Sequence, residues 1–136
     1  MKTRLTTALG VVSVLSLLAG TAYGAGVADD ETRNCVDLMR VDHTYVVDDQ
    51  NILFYMRGGA IYLNRLSHPV PGLDPNQAFM YRTSIGQLCR LDTVTVLERW
   101  GFGLTEGASG TLGKFVPRDR VQADMLRDRA QSHSDE

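Results

Sequence analysis

The stretch ILFYMRGGAIYLNRL, residues 52–66, decides the fold, because two apolar and aromatic runs flank a Gly-Gly pair at 58–59. Only glycine takes a positive φ at both central positions of a two-residue turn without strain. The pair therefore predicts a β-hairpin with a two-residue loop, which sets the register of the two strands. The expected cross-strand pairs are Arg57 with Ala60, Met56 with Ile61, Tyr55 with Tyr62 and Phe54 with Leu63.

Side chains alternate between the two faces of a strand, so the predicted register divides the hairpin into two faces. The core face carries Ile52, Phe54, Met56, Ile61 and Leu63. The second face carries Leu53, Tyr55, Arg57, Tyr62 and Asn64.

Strand patterns continue on both sides of the hairpin. The run HTYVV at 43–47 is β-branched and aromatic, and a polar turn at 48–51 joins it to the hairpin. A three-stranded meander is therefore predicted over 43–66. Further strands are predicted at 78–84, 92–99 and 112–116.

Two segments are predicted as loops. Residues 67–77 contain three prolines, which cannot donate to a strand ladder. Residues 101–113 contain five glycines. The chain is therefore predicted to be mainly β, with five or six antiparallel strands in a small barrel or a strongly curled sheet over 34–117.

The C-terminal segment 118–136 alternates positive and negative charges. Val121, Met125 and Leu126 are spaced to lie on one face of a helix. A short surface helix or a disordered tail is predicted here.

The first 24 residues have the order of a secretory signal peptide: a basic start, an apolar run at 8–19, then small residues. Cleavage is predicted after Gly24, with Ala22 and Ala28 as alternative sites, followed by a flexible leader over 25–33. The apolar run is shorter than the roughly 20 residues of a membrane span, although an uncleaved anchor is the alternative. The sequence thus predicts a periplasmic or secreted protein without a membrane span after cleavage.

Cys35 and Cys89 are the two cysteines of the chain, and both follow the signal segment. An even number of cysteines in a secreted chain favours a disulfide, and two cysteines allow one intramolecular pairing. A catalytic or redox thiol is the alternative, but the chain contains no C-x-x-C motif.

Charge and composition exclude several function classes. The chain carries 14 Lys and Arg against 16 Asp and Glu, which argues against nucleic-acid binding. Its histidines, His43, His68 and His133, are not spaced as metal ligands, and no cofactor motif is present. We therefore expect neither a metal nor a cofactor.

A set of motifs runs through the region 34–117. In order, these are Asn34-Cys35, VVDDQNILFYMRGGAIYLNRL at 46–66, PGL at 71–73, AFMYRTS at 78–84, QLC-x-x-D at 87–92 and LGKF-x-P at 112–117. With this set the chain resembles a family of small exported Gram-negative bacterial proteins classed as a domain of unknown function. The resemblance implies the compartment and the fold, and it implies no activity.

The resemblance also carries an expectation about two loops. Family members often have a cysteine before the Pro-Gly-Leu motif and another before the Leu-Gly-x-Phe motif, where this chain has Val70 and Gly110. If those two pair in relatives, the segments 67–77 and 101–113 lie near each other, and Cys35 and Cys89 are the retained pair.

Asp42 and His43 form the most enzyme-like dipeptide, because a carboxylate can orient an imidazole for base catalysis. Adjacent residues of a strand point to opposite faces, however, so the two are not expected to pair. No nucleophile motif such as G-x-S-x-G is present. A small hydrolase-like periplasmic enzyme using this dipeptide is an alternative function.

Two sets of residues are candidates for binding. One is the predicted second hairpin face with Tyr55, Arg57, Tyr62 and Asn64, extended by Tyr81 and Arg82 of the next strand. The other is the aromatic pair Trp100 and Phe102 at the head of the glycine-rich segment. Alternatively, the C-terminal helix covers the hairpin face.

The preferred prediction is a non-enzymatic binding or accessory module of the cell envelope. Its partner is expected to be an envelope protein or a small ligand. A purely structural or stress accessory protein with no dedicated site is the remaining alternative.

Overall fold

Nine β-strands and one α-helix form the part of the chain that the computed structural model describes, residues 31–83 and 85–134. The strands are β1 (Cys35–Asp37), β2 (Val41–Val46), β3 (Asn51–Met56), β4 (Ile61–Arg65), β5 (Phe79–Arg82), β6 (Gln87–Cys89), β7 (Thr93–Trp100), β8 (Gly103–Thr111) and β9 (Phe115–Arg118). A short 3-10 helix (Leu38–Arg40) links β1 to β2, and the α-helix, α1, spans Arg120–Ser134. The predicted signal peptide and the leader up to residue 30 lie outside the described residues.

These strands form three antiparallel sheets, with the orders β2-β3-β4-β9, β5-β7-β8 and β1-β6. The mainly β, antiparallel fold and the three-stranded meander are thus confirmed. The sheets of the described region do not close into a barrel, and they contain more than the predicted five or six strands. Strands β1 and β6 were missed because each has only three residues, too few for an alternating pattern to appear.

The turn of the β3–β4 hairpin is one residue longer than predicted. The Met56 N–H donates to the Ala60 carbonyl oxygen at 2.8 Å, so residues 57–59 form a three-residue loop. The Arg57 N–H donates instead to the carbonyl oxygen of Arg40 at 2.7 Å. Arg57 is therefore not paired with Ala60 in the β3–β4 ladder, and the predicted two-residue turn is wrong.

The longer loop shifts every predicted pair of the hairpin by one residue. Phe54 lies opposite Tyr62, and Tyr55 lies opposite Ile61. A shift of one residue moves all β4 side chains to the other face. The prediction that Tyr55, Tyr62 and Asn64 share a face is therefore wrong, since Tyr62 and Asn64 lie on the face of Phe54.

Both faces of the β3–β4 hairpin are covered, each by a different element. One face belongs to the main core, to which all three sheets contribute. Its buried members are Val36, Val46, Ile52, Phe54, Met56, Tyr62, Leu66, Val70, Leu73, Leu88, Val94, Val96, Leu112 and Phe115. The other face lies under α1 in a second cluster of Val47, Leu53, Ile61, Ala123 and Ala130.

Helix α1 begins at a capping box that the sequence analysis did not identify. The Gln122 N–H donates to Asp119 Oδ1 at 2.7 Å, and the Asp119 N–H donates to Gln122 Oε1 at 3.3 Å. Each side chain thus satisfies a backbone donor that a helix start leaves unpaired. The predicted C-terminal helix is confirmed.

The packed face of α1 differs from the predicted one. Val121 and Met125 are 67% and 54% exposed, whereas Ala123 and Ala130 are buried and Leu126 is half-buried. Alanine has a short side chain, so it lets the helix backbone lie close to the sheet. Of the three residues predicted to share a face, Leu126 therefore packs on the cluster, whereas Val121 and Met125 do not.

The glycine-rich segment is a strand and not the predicted loop. Strand β8 pairs with β7 from its first residue to its last. Trp100 lies opposite Gly103 at the turn, and Thr93 lies opposite Thr111 at the base. A ladder needs only backbone N–H and C=O groups, which glycine supplies. Close approach explains one of the glycines, because a Cβ on Gly110 would collide with the Val70 side chain.

The predicted proximity of the segments 67–77 and 101–113 is confirmed. The Ser67 N–H donates to the Thr111 carbonyl oxygen at 3.0 Å, and their hydroxyl oxygens are 2.6 Å apart. An ideal Cβ on Gly110 would lie 3.9 Å from the Val70 Cβ. The proline-rich segment, which is irregular as predicted, therefore packs on the base of β8.

The predicted disulfide is confirmed. Cys35 and Cys89 lie opposite each other in the β1–β6 pair, and their sulfur atoms are bonded. Just before β1, Arg33 exchanges two backbone hydrogen bonds of 2.9 Å with Phe115 of β9. The last residue of the predicted flexible leader is thus held by the fold, which corrects the boundary at 33.

Candidate binding site at the tip of the β7–β8 hairpin

The outer half of the β7–β8 hairpin projects beyond the three-stranded sheet. Strand β5 pairs with β7 only as far as Val96, with one further hydrogen bond of 2.8 Å from the Leu97 N–H to the Ala78 carbonyl oxygen. Beyond that point, every residue in the range 98–106 is exposed. The outer hairpin is therefore a two-stranded ribbon, and no third strand or other element among residues 31–83 and 85–134 covers it.

A tight turn closes the ribbon. Trp100 pairs with Gly103, so Gly101 and Phe102 form a two-residue loop. Gly101 has a φ of 60°, which matches the type II′ turn that requires glycine at its first central position. The turn therefore places Phe102 at the far end of the ribbon.

Three large apolar side chains are exposed at this end, and they point in different directions. Trp100, Phe102 and Leu104 are 79%, 113% and 58% exposed. Leu104 pairs with Arg99, one position beyond the Trp100–Gly103 pair, so Leu104 and Trp100 lie on opposite faces of the ribbon. We call residues 99–104 the hairpin tip.

The acidic side chains of the ribbon lie behind the tip. Glu106 accepts a hydrogen bond from the Arg82 guanidinium at 2.6 Å. The Glu98 carboxylate lies over Gly107, with Oε1 2.6 Å from where a Cβ on that glycine would be. Arg99 is exposed and forms no ion pair with the residues that the structure describes. The charge nearest the apolar side chains is therefore positive.

A shallow depression lies on the tip itself. Its lining combines one cationic residue with apolar and glycine residues: Arg99, Gly101, Phe102, Gly103 and Leu104. The tip thus presents apolar surface beside a guanidinium group.

Trp100, Phe102 and Arg82 are the predicted candidate residues that the structure places on this ribbon or at its base. Trp100 is part of the tip, and Arg82 holds Glu106 behind it. These three residues were predicted from the sequence, whereas Leu104 and Arg99 were not. A tight turn flanked by two strands would have identified Leu104 and Arg99. The many glycines of this segment led instead to the prediction of a loop.

The structure does not bring the remaining predicted residues together. Tyr62 and Asn64 are 2% and 0% exposed, inside the main core. The Asn64 amide donates to the Gly113 carbonyl oxygen at 3.0 Å and accepts from the Gly113 N–H at 2.9 Å. Asn64 therefore satisfies both backbone hydrogen-bonding groups of Gly113, in the segment between β8 and β9.

Tyr55 and Arg57 lie outside the main core that contains Tyr62 and Asn64. Arg57 is exposed in the turn of the β3–β4 hairpin. Tyr55 is half-buried in the cluster beneath α1, and its buried hydroxyl has no hydrogen-bond partner among the described residues. The four residues thus form no common patch, and the helix covers the Tyr55 face, as the alternative prediction had it.

Asp42 and His43 do pair, contrary to the prediction. His43 Nδ1 lies 2.8 Å from Asp42 Oδ2, and the imidazole stacks on Tyr55 with ring centroids 4.4 Å apart. The strand register shifts between Val41 and His43, and such a bulge abolishes the simple alternation of faces. Both side chains are 57% exposed, so the dyad lies on an open surface and not in the concave pocket that the hydrolase-like alternative requires.

Two further clefts are smaller than ordinary ligand sites, which enclose roughly 300–1,000 Å³. One, of about 150 Å³, lies beside the disulfide and is bordered by Arg33, Arg40 and Tyr62. The other, of about 260 Å³, lies between β2 and β5. In the described residues, no group of three or more His, Cys, Asp or Glu side chains is arranged to hold a metal ion. The hairpin tip is therefore the strongest candidate site.

No protein-family model, curated protein or solved structure matches this chain. The resemblance to an exported family thus stays a prediction. Among the described residues, no helix has both the length and the apolar character needed to cross a membrane.

Proposed function

We propose that this protein is an exported, non-enzymatic binding module of the cell envelope, and that the hairpin tip is its contact element. The exposure of Trp100, Phe102 and Leu104 on an uncovered ribbon carries this proposal. These side chains bury little surface within the chain, so the fold gains little from them. Clustered exposed apolar residues are typical of contact sites, and tryptophan is enriched among the residues that dominate binding.

Two observations support the export part of the proposal. The Cys35–Cys89 disulfide fits an oxidising compartment such as the periplasm. The segment 1–24 has the charge and hydropathy order of a signal peptide, with cleavage after Gly24. The resemblance to exported Gram-negative proteins agrees with both.

Site-specific photocrosslinking in the native envelope tests the contact role. A photoreactive phenylalanine analogue replaces Phe102 in one variant and Met125 in a matched control. Met125 is also apolar and 54% exposed, but it lies on α1. We expect adducts from position 102 and none from position 125. Adducts from neither position, or equally from both, would contradict the proposal and favour a purely structural role.

A further inference from the structure

The shape of the hairpin tip limits what can cover it. Trp100 and Leu104 lie on opposite faces of the ribbon, and Phe102 extends from its end. A flat protein surface contacts one face of such a ribbon and leaves the other in water. A medium that surrounds the tip removes all three side chains from water at once.

From this geometry we propose that the hairpin tip inserts as a wedge into the surface of an anionic phospholipid bilayer. This inference rests on the proposed function and names its partner. Tryptophan and phenylalanine favour the interface between lipid headgroups and acyl chains, where their rings are buried and the indole N–H finds a polar partner. The wedge makes the protein a peripheral membrane protein.

The positions of the acidic side chains match the depth of that interface. Glu106 lies four residues from Phe102 along β8, about 13 Å, and Glu98 pairs with Thr105, three residues or about 10 Å from Phe102. Interfacial elements insert their apolar side chains about 5–10 Å deep. The apolar end of the ribbon therefore enters the interface while both carboxylates stay in the aqueous phase.

Charge selects an anionic surface over a neutral one. Glu106 is paired with Arg82, and Glu98 is folded over Gly107, behind the tip. Arg99 lies within the tip and has no acidic partner among the described residues. Its long side chain can keep the guanidinium at the level of lipid phosphates while its methylene groups follow the apolar end.

The backbone of the tip is suited to shallow insertion. The pairs Trp100–Gly103 and Arg99–Leu104 belong to the ladder, so the inward-facing N–H and C=O groups are satisfied within the ribbon. The outer edges of the two strands carry unpaired groups that need water or headgroups. Both facts favour the interface over the hydrocarbon core.

Trp100 is the only tryptophan of the chain, so its fluorescence reports on the tip directly. The experiment mixes the mature, disulfide-bonded protein with vesicles of phosphatidylethanolamine and phosphatidylglycerol, or of phosphatidylcholine alone. We expect a blue shift of Trp100 emission with the anionic vesicles, and quenching by lipids brominated near the top of the acyl chain. Weaker binding is expected with phosphatidylcholine.

Variants separate insertion at the tip from nonspecific adsorption. Phe102→Ser and Leu104→Ser should each weaken binding about ten-fold, because each removes an inserted apolar side chain. Arg99→Gln should weaken binding to anionic vesicles about five-fold. Met125→Ser, which removes from α1 an apolar side chain about as exposed as Leu104, should leave binding unchanged. Circular dichroism of every variant checks that the fold is intact.

Several outcomes would overturn the lipid proposal. It fails if anionic vesicles neither shift nor quench Trp100, or if Met125→Ser weakens binding as much as Phe102→Ser. Crosslinks from position 102 to a protein, without any vesicle binding, would also overturn it, yet they would leave the contact role of the tip standing. Crosslinks to nothing would contradict both proposals.

Discussion

The β3–β4 and β7–β8 hairpins both carry large apolar side chains next to a glycine turn, yet their surroundings are opposite. Ile52, Leu53 and Phe54 of β3 are all 0% exposed, because the main core covers one face of the strand and α1 covers the other. The range 98–106 of the second hairpin is exposed throughout. The same local structure is thus the centre of the fold in one case and a projection in the other.

The apolar residues of the two hairpins contribute differently to the free energy of folding. Burial in β3 stabilises the folded state, whereas an isolated two-stranded ribbon is marginally stable in water and gains little from exposed rings. Apolar side chains that do not stabilise the fold point to an intermolecular role. The contrast between the two hairpins is therefore the basis of both proposals.

The largest expected effect comes from the same substitution made in each hairpin. Phe54→Ala removes a fully buried ring that packs edge-to-face on Phe115, and it should lower the free energy of unfolding by about 3–5 kcal/mol. Phe102→Ala should change it by less than about 0.5 kcal/mol. Urea denaturation of the oxidised proteins measures both. Equal losses would show that the tip packs against the body of the protein, which would break the comparison.

An intermediate effect distinguishes the base of the β7–β8 ribbon from its tip. Gly110→Ala should destabilise the protein by about 1–3 kcal/mol, because its Cβ would collide with Val70. Gly103→Ala is the matched control, since a Cβ there has no atom within 4 Å. Thermal unfolding compares the two variants. Equal unfolding temperatures would mean that the base is as loosely held as the tip.

The contact at the base also predicts a second disulfide. Cysteines at positions 70 and 110 would have Cβ atoms about 3.9 Å apart, within the usual range for a bridge. The Val70→Cys, Gly110→Cys double variant should oxidise spontaneously and regain part of the stability that Gly110→Ala loses. Mass spectrometry without reductant detects the bond. Two free thiols after oxidation would contradict the described packing.

The smallest perturbation is the exchange of amide hydrogen for deuterium in the unchanged protein. The amides of β3 should exchange about three orders of magnitude more slowly than those in the range 99–105, because a core strand opens with the whole fold while an uncovered ribbon opens locally. Exchange resolved by peptide measures this difference. Slow exchange at the tip in the free protein would show that an element covers it.

Local patterns in the sequence were enough for several conclusions. Alternation and turn residues predicted the meander of β2, β3 and β4, and the proline content predicted the irregular segment 67–77. The cysteine count predicted the Cys35–Cys89 bond. These features depend on backbone preferences of neighbouring residues or, for the disulfide, on having a single pairing available.

Tertiary structure alone decided the features that involve distant residues. The Arg57 N–H donates to the carbonyl oxygen of Arg40 outside the hairpin, and the three-residue turn that accompanies this bond places Tyr62 and Asn64 in the core. Pairing with β7 turned the glycine-rich segment into a strand. Neither contact leaves a periodic pattern, because each partner lies outside the segment that it changes.

For the same reason, only part of the candidate site could be predicted from the sequence. The aromatic residues Trp100 and Phe102 were recognisable from the sequence, since large rings beside glycines favour exposed contacts. Their arrangement as a wedge, with Leu104 on the opposite face, follows from the register of the ribbon and from the start of β5 at Phe79, opposite Val96. The sequence by itself determined which residues are chemically suited to binding, and the packing of distant strands decided which of them remain in water.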